Sequence, residues 1–122
     1  MQFRPGVGVG GHCIPVDPMY LTWWARHNGN NPKFVETAAS INNEMPNYVA
    51  ERALSMIDPT IKTPKILIVG VAYKPGVKDV RETPVSQLRN YLLASGATVA
   101  WHDPLVESWQ KQLHYLQWLQ WE

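Results

Sequence analysis

Apolar residues recur every three or four positions along one long segment in the first half of the chain. The series runs through Phe34, Ala38, Ile41, Met45, Val49, Ala53 and Met56. This spacing matches the 3.6-residue turn of an α-helix, so it predicts an amphipathic helix of about seven turns from Phe34 to Ile57. Pro46 stands inside the series and lacks the amide hydrogen that a helix interior needs, so we expect a kink or a split there.

A shorter helix is predicted upstream of the long one. Asp17 followed by Pro18 resembles an N-cap and a first helical position, and the run "MYLTWWARH" would form the helix itself. Asn28 and Gly29 would end it, because both residue types tolerate the left-handed conformation that closes a helix. Residues 1–16 are rich in glycine and proline and are predicted to be a loop.

The periodicity changes after the linker "DPTIKTP". The run "KILIVGVA", residues 65–72, is continuously apolar, which is typical of a buried parallel strand. Thr83 and Pro84 repeat the cap-and-first-turn pattern, "VSQLRNYLLAS" predicts a helix closed by Gly96, and "ATVAWHDP" predicts a second strand. The chain is therefore predicted to be α/β, a helical segment followed by a partial Rossmann-like βαβ unit with a right-handed crossover. Two strands make too small a sheet, so we expect further strands to complete it.

Composition narrows the classes of function. The chain has 122 residues, of which 45% are hydrophobic and 17% charged, and this balance favours a folded core over disorder. The net charge is +1 without a basic stripe, so nucleic acid is not an expected partner. No apolar run is long enough to cross a membrane. One cysteine cannot form an internal disulfide, which fits a reducing, cytoplasmic compartment, and no zinc-ligand spacing is present.

The stretch "FRPGVGVGGHCIPVDP" contains that single cysteine, Cys13. A lone cysteine is most often a small buried hydrophobe. However, Gly10 and Gly11 remove side chains beside it and would let a ligand approach the backbone, and the helix after Asp17 points its positive end at the thiol. Such a setting favours the thiolate and suits a nucleophile. Both interpretations stay open on these grounds.

Several neighbouring residues also have a structural and a chemical interpretation. Asp17 is either a helix cap or a carboxylate that serves the thiol. The charged loop "YKPGVKDVRE" follows the first strand, at the sheet edge where open α/β sheets bind ligands, and Lys74 and Arg81 suit anionic groups there. His12 is interpreted as a hydrogen-bonding loop residue, and Asp103 either meets a ribose or starts a turn.

The glycines of "GVGVGG" do not fit a dinucleotide-binding fingerprint. That fingerprint needs a strand before the glycines and a helix directly after them. Here "FRP" precedes them and a "CIP" loop follows. A loop that wraps a ligand is the better interpretation.

Four motifs, in the same order, resemble the later part of the UDP-glucose/GDP-mannose dehydrogenase family. They are "GVGVGGHCIPVDPMYL", "INNEMPNYV", "GVAYKPGVKDVRETP" and "GATVAWHDP", and they cover residues 3–104. The resemblance implies oxidation of the C6 alcohol of a nucleotide sugar to a carboxylate with two NAD+. Cys13 would capture the intermediate aldehyde as a thiohemiacetal that proceeds to a thioester, and Asp17 would assist the water and proton transfers.

The resemblance also implies two binding sets. The substrate-binding residues would be Arg4, Pro5, Gly6, Val7, Gly8, Val9, Gly10, Tyr73 and Lys74. The residues that contact the NAD cofactor would be Cys13, Ile14, Pro15, Val16 and Arg81. The phrases "GGHCIPVDP" and "PMYLTWWA" are closer to the branch that oxidises UDP-N-acetylhexosamines, for surface polysaccharide synthesis, than to the UDP-glucose branch.

The implied organisation has four parts. They are a cysteine loop with its helix at 1–30, a central dimerisation helix at 31–60, a truncated UDP-binding domain at 61–104 and an atypical tail at 105–122. The NAD-binding domain of the family is missing, so we expect a fragment, homodimeric through its central helix and without dehydrogenase activity alone. The alternatives are an inactive module that dimerises and binds nucleotide, a UDP-glucose 6-dehydrogenase, and a cysteine hydrolase, which would need an oriented histidine base.

Overall fold

The computed structural model of the protein describes residues 6–109. The elements are helix α1 (Asp17–His27), helix α2 (Lys33–Ser55), strand β1 (Lys65–Val69), helix α3 (Val85–Ala94) and strand β2 (Thr98–His102). This order confirms the predicted α/β class, with helices first and a βαβ unit after them. Of the helices between residues 6 and 109, none combines the length and the hydropathy that crossing a lipid bilayer requires.

Helix α1 begins without the side-chain cap that the sequence predicted. Val16 is the N-cap, Asp17 is already the first helical residue, and no side chain caps the helix. The prediction was wrong because the chain turns before Asp17: the Cys13 carbonyl oxygen accepts the amide hydrogens of Val16 at 3.1 Å and of Asp17 at 2.8 Å. The end of the helix is as predicted, with Asn28 as C-cap and Gly29 at φ 74°.

Helix α2 runs unbroken through Pro46, so the predicted split at this residue is wrong. The proline ring is fully buried. Its ring nitrogen carries no hydrogen, which leaves the carbonyl group of Asn42, one turn earlier, without its usual helical donor. The middle of the helix therefore combines a buried proline ring with a carbonyl group, that of Asn42, which receives no hydrogen bond from the helix backbone.

Polar contacts fix α2 against α3. The Gln87 side-chain amide donates to the Asn43 carbonyl oxygen at 2.9 Å and to Asn47 Oδ1 at 3.2 Å. One turn further along both helices, the Tyr91 hydroxyl donates to Glu51 Oε1 at 2.8 Å. The central helix is thus attached to the βαβ unit along its second half.

The two strands are parallel, with Lys65 opposite Thr98 and Val69 opposite His102, and α3 is the crossover between them. Strand β1 stops at Val69 and not at residue 72. Gly70 still donates its amide hydrogen to the His102 carbonyl oxygen at 2.7 Å, but the amide hydrogens of Val71 and Ala72 are donated to the Asp103 carboxylate at 2.9 and 3.3 Å. Those donors are therefore lost to the sheet.

Helix α3 starts one residue later than predicted. Pro84 is the N-cap and Val85 the first helical residue. Thr83 lies one position earlier and is buried, and its hydroxyl oxygen accepts the Val85 amide hydrogen in a long contact of 3.4 Å. The predicted Thr83 cap is thus displaced, and Gly96 follows the helix at φ 85° as expected.

The core lies between the sheet, α3 and the second half of α2. Its buried members are Ala50, Ile68, Val71, Val85, Leu88, Leu92, Ala97, Val106 and Trp109. Two of them come from the tail, where Trp109 meets the Trp101 ring edge-on at a centroid distance of 5.8 Å. The apolar run of β1 is less buried than its composition suggested, since Ile68 is 8% exposed but Val69 is 72% exposed.

Candidate functional site

The glycine loop is pressed against the protein's own atoms. A Cβ atom built on Gly8 would lie 3.1 Å from Pro84 Cβ, and one built on Gly10 would lie 2.9 Å from Pro84 Cδ. Residues two apart in an extended segment share one side, so Gly8 and Gly10 face the same proline. The sequence suggested that these glycines admit a ligand. At Gly8, Gly10 and Gly11 the close neighbours are protein groups.

The loop after β1 forms the other wall of this contact. Gly10 packs on the Glu82 carbonyl oxygen, which lies 2.6 Å from the Cβ position, and Gly11 packs on the ring of Tyr73 at 3.0 Å. Tyr73 is anchored in turn by its amide hydrogen, donated to the Asp79 carbonyl oxygen at 3.1 Å. Two segments about 60 residues apart are thereby joined next to the cysteine.

Cys13 is a free and exposed thiol at the outer end of this loop. The two amide hydrogens that its carbonyl oxygen accepts form the turn that leads into α1. Asp17 stands one turn later and is also exposed. The thiol and the carboxylate are therefore both open to solvent at the entry to α1.

Asp79 and Arg81 form a bidentate ion pair in the loop after β1. The Arg81 Nε donates to both carboxylate oxygens at 3.0 Å, and its Nη2 donates to Oδ2 at 2.6 Å. These bonds, with the Arg81 backbone amide as a second donor, lower the pKa of Asp79 to about 2. The same bonds raise the pKa of Arg81, and the ionised forms of Tyr73 and Cys13 add to that rise. The ion pair therefore engages the Arg81 guanidinium group within its own loop.

Lys74 supplies a second cation in the same loop. It is exposed, and its Nζ lies 5.5 Å from the centroid of the Tyr73 ring. An ammonium group over an aromatic face is held weakly and keeps its hydrogens available to an anion. The tyrosine that contacts the glycine loop therefore also contacts the lysine.

Two roles were predicted for Asp103, a contact with a ribose and the start of a turn. The hydrogen bonds of its carboxylate fit the second. Its Oδ2 accepts the amide hydrogens of Val71 and Ala72, and its Oδ1 accepts that of Leu105 at 2.9 Å. Burial works to raise the pKa of this carboxyl, but the backbone donors together outweigh burial and lower the pKa. The carboxylate ties the end of β2 to the start of the loop that carries Tyr73 and Lys74.

Asn42 on α2 was not among the predicted site residues. Its side-chain oxygen accepts the Val9 amide hydrogen at 2.7 Å, and its side-chain nitrogen donates to the Val9 carbonyl oxygen at 3.3 Å. The partners are 33 residues apart, so no local pattern reveals the contact. The one available signal was the position of Asn42 four residues before a proline in a predicted helix.

The remaining predicted residues are dispersed around the loop. Val7 packs against the core, Gly6 has no atom within 4 Å of its Cβ position, and Ile14 is exposed. Val9, Ile14 and Pro15 line a groove of about 810 Å³ against the first half of α2, and Pro15 and Val16 also line an apolar surface on α1. The predictions for Arg4 and Pro5 lie outside the described residues. Residues 6–109 contain no group of His, Cys, Asp or Glu side chains placed to hold a metal ion.

Two models of one protein family match the chain. The central domain of the UDP-glucose/GDP-mannose dehydrogenase family matches residues 1–44. The UDP-binding domain of the same family matches residues 67–121. The second match continues through the tail, where the sequence had suggested a departure from the family after Pro104.

Individual proteins give the same result. The chain is 42% identical to a UDP-N-acetyl-D-mannosamine dehydrogenase of Methanococcus maripaludis, over 93% of this chain and 26% of that protein. It is 34% identical to a UDP-N-acetyl-D-glucosamine 6-dehydrogenase of Salmonella typhi, over 94% of this chain and 28% of that protein. Among solved structures, a UDP-D-ManNAc dehydrogenase of Pyrococcus horikoshii superposes with a TM-score of 0.74 at 33% identity, over 86% of this chain and 25% of that one.

The chain thus spans about a quarter of the length of the relatives it matches. The matched parts are those that hold the cysteine loop and the loop after β1, which the fold brings together. The chain belongs to the UDP-glucose/GDP-mannose dehydrogenase family.

Proposed function

We propose that this chain supplies the reactive cysteine and part of the nucleotide-binding surface of an NAD-dependent UDP-sugar 6-dehydrogenase. The observation that carries the proposal is the contact between Gly10 and Gly11 of the cysteine loop and Tyr73 and Glu82 of the loop after β1. This contact joins the loop of an exposed thiol to the loop that carries two exposed cations, Lys74 and Arg81. A nucleophile next to anion-binding groups suits a substrate that carries both an oxidisable carbon and a diphosphate.

Cys13 would act as the nucleophile. Its thiolate adds to the C6 aldehyde, the new carbon–sulfur bond forms, and the former carbonyl oxygen takes a proton to give a thiohemiacetal. This covalent bond keeps the reactive carbon in place between the two oxidations. The second oxidation removes a hydride from C6 and a proton from the hydroxyl group to give a thioester, which water then opens to the carboxylate and the free thiol.

Asp17 would handle the protons of these steps. It is exposed and lies one turn after Cys13 in the chain. A carboxylate in this position can accept a proton from the attacking water and return it to the leaving sulfur. Its place as the first residue of α1, free of a capping bond, supports this role because its side-chain oxygens are not engaged by the helix.

The exposed face beside Cys13 suits part of a dinucleotide cofactor. Arg81 is 67% exposed in its side chain and offers donors to a phosphate, and Ile14 offers apolar surface to a ring. Residues 13–16 and Arg81 would hold this part of the cofactor. When bound, NAD+ supplies the acceptor for the hydride that leaves C6 in each oxidation.

The proposed substrate is a UDP-N-acetylated hexosamine, oxidised to the uronate for surface polysaccharide synthesis. Support comes from the relatives, since those named for UDP-N-acetyl-D-mannosamine are 35 to 45% identical and one named for UDP-glucose is 32% identical. UDP-glucose is therefore the second candidate substrate. Lys74 would pair with the diphosphate that both substrates share.

Calorimetry of the purified chain tests this proposal. UDP-N-acetylmannosamine, UDP-N-acetylglucosamine, UDP-glucose and UDP would be titrated in turn. We expect saturable binding, weakened roughly tenfold by Lys74→Ala through the loss of one charge-assisted hydrogen bond. Lys78→Ala is the matched control, since Lys78 is an exposed lysine of the same loop. The absence of binding to a folded sample would refute the proposed nucleotide site.

Alkylation of Cys13 with iodoacetamide near neutral pH tests the proposed role of the thiol. A catalytic cysteine should react faster than a free model thiol at the same pH. Ordinary reactivity together with intact UDP binding would favour the second candidate function, a module that binds nucleotide without chemistry of its own.

We also propose a homodimer that packs through α2. Phe34, Ile41 and Tyr48 are spaced seven residues apart and therefore form one stripe along the helix. Their side chains are exposed by 86%, 57% and 53%, which is unusual for residues of this size and chemistry. A second copy of the same stripe would cover this surface.

A further inference from the structure

Asn42 holds the glycine loop by both backbone polar groups of a single residue, Val9. Its Oδ1 accepts the Val9 amide hydrogen at 2.7 Å, and its Nδ2 donates to the Val9 carbonyl oxygen at 3.3 Å. A side-chain amide that pairs in this way mimics a neighbouring β-strand and fixes the orientation of the two peptide groups on either side of the Val9 Cα as well as their position. The loop is therefore restrained in rotation at Val9, four residues before Cys13.

Pro46 prepares the surface on which this pairing occurs. Because the proline nitrogen has no hydrogen, the Asn42 carbonyl group lacks its donor from within the helix. That oxygen lies 3.4 Å from the Cβ position of Gly8, and Pro84 Cβ lies 3.1 Å from the same position. The loop backbone thus reaches α2 at Gly8, next to the residue that Asn42 binds.

The next two residues leave the loop little freedom on its way to Cys13. Gly10 contacts the Glu82 carbonyl oxygen, and Gly11 contacts the Tyr73 ring. Asn42 supplies the hydrogen bonds to this segment from α2, whereas the contacts from the loop after β1 are steric. A hydrogen-bonded pair is directional, so it is the part of the arrangement that can set the angle at which the loop leaves the helix.

We propose that Asn42 is a positioning residue for Cys13, which fixes the glycine loop so that Gly10 and Gly11 dock on the loop after β1 and the thiol is held next to that loop. The role is one of orientation, and Asn42 itself touches no reacting atom. The inference rests on the proposed function in taking Cys13 as the reacting group. Asn42 would act on the reaction through the loop backbone at Val9.

Three variants of the full chain test this role. Asn42→Ala removes both hydrogen bonds, and Asn42→Asp keeps the acceptor for the Val9 amide but loses the donor to its carbonyl oxygen. Asn43→Ala is the matched control, because Asn43 is the adjacent asparagine of the same helix and takes part in the contact with Gln87 through its backbone carbonyl. Thermal unfolding by circular dichroism first establishes that each variant is folded.

Two measurements follow, and neither needs a ligand. Amide hydrogen exchange of Val9, observed by NMR, reports on the pairing itself. The ratio of Cys13 alkylation rates with iodoacetate and with iodoacetamide reports on the positive charge that the loop after β1 presents to the thiol, because only iodoacetate carries a negative charge. A loss of global stability alone would not change this ratio in molecules that remain folded.

We expect Val9 exchange to accelerate about fivefold in Asn42→Ala, the effect of one lost hydrogen bond. The iodoacetate-to-iodoacetamide ratio should fall at least about twofold toward that of a free thiol as Cys13 moves away from the loop after β1, which carries the exposed Lys74. Asn42→Asp should lie between the wild type and Asn42→Ala in both measurements, and Asn43→Ala should match the wild type.

The positioning role is overturned if Asn42→Ala retains the wild-type alkylation ratio, whether or not Val9 exchange changes. If Asn42→Ala does not fold, the comparison of Asn42→Asp with Asn43→Ala decides in the same way. Failure of the proposed function would appear elsewhere, as a wild-type chain that binds no UDP-sugar. These measurements on Val9 and Cys13 would remain interpretable in that case.

Discussion

The ion pair of Asp79 and Arg81 is the most strongly connected charged contact near the candidate site. Four hydrogen bonds join the two residues, three from the guanidinium group and one from the Arg81 backbone amide at 2.9 Å. Both residues lie at the surface, where solvent screens charges, so the pair adds little to global stability. Its effect is local: it orders the turn that carries Tyr73 at one end and Glu82 at the other.

This pair predicts a pH-dependent loop. The pKa of Asp79 is lowered from 3.8 to about 2, so ionised Asp79 favours the ordered loop above pH 4, and this contribution disappears as the pH falls through about 2. A carboxyl-carbon NMR titration should therefore give Asp79 a midpoint near 2 in the wild type. In Arg81→Gln the midpoint should return toward 3.8, because the largest cause of the shift is gone.

Arg52→Gln serves as the control for this titration. Arg52 is an arginine of α2 whose described side-chain contact is a 3.5 Å hydrogen bond to the Tyr48 hydroxyl. Its removal should leave the Asp79 midpoint near 2. A midpoint for wild-type Asp79 at 3.8 or above would contradict the proposed pairing.

At the residue scale, the sequence identified the chemically reactive residues more fully than the contacts that position them. It singled out Cys13, Tyr73 and Arg81, which the fold brings to one region, because each residue belongs to a motif with a recognisable composition. It missed Asn42, whose partner Val9 is 33 positions away. A long-range pairing of a side chain with a backbone leaves no periodic pattern in the sequence, so only the three-dimensional arrangement reveals it.

At the scale of elements, the cysteine loop is held between α2, the start of α3 and the loop after β1. Gly10 makes the closest of these contacts, with 2.6 Å between its Cβ position and the Glu82 carbonyl oxygen. Glu82 itself has φ 49°, a conformation that residues other than glycine seldom adopt. The carbonyl group therefore belongs to a constrained backbone with little room to move aside.

We predict that Gly10→Ala moves the cysteine loop away from the start of α3 and from the loop after β1. The added methyl group would meet backbone on one side and the Pro84 and Tyr73 side chains at 2.9 Å on the others, and such overpacking costs about 1–3 kcal/mol. Urea unfolding should show this loss, and the alkylation rate of Cys13 should change with it. Gly6→Ala is the control, since no atom lies within 4 Å of that site. Equal stability of the two variants would show that the loop is not docked.

The element boundaries show why sequence patterns identified the helices but displaced their starts. The predicted caps at Asp17 and Thr83 each lie one residue from the observed ones, Val16 and Pro84. At Asp17 the backbone had already turned at Cys13, and at α3 the proline that was expected at the first helical position caps the helix. Periodicity predicts where a helix runs, whereas its first residue depends on how the preceding loop packs.

At the scale of the whole molecule, large apolar side chains remain on the surface of helices α1 and α2. On α1 they include Tyr20, Trp23 and Trp24, each more than half exposed. On α2 they form the stripe of Phe34, Ile41 and Tyr48. The sequence predicted an amphipathic α2, and α3 and the glycine loop cover one side of it through Gln87 and Val9. The apolar stripe lies to the side of these contacts. The periodicity of the sequence did not show which apolar positions of α2 are covered and which remain exposed.

This distribution predicts self-association through α2. Ile41 lies at the centre of the stripe, so Ile41→Asp would place a charge within an apolar interface and should weaken the dimer at least about tenfold, since an unpaired buried charge is strongly unfavourable. Sedimentation equilibrium of wild type and variant measures this directly. Asn43→Asp is the control, because residue 43 follows Phe34 by nine positions, two and a half helical turns, and so faces away from the stripe. A wild-type chain that stays monomeric at high micromolar concentration, or a dimer that is equally weakened by both substitutions, would mean that the stripe is covered by something other than a second copy of this chain.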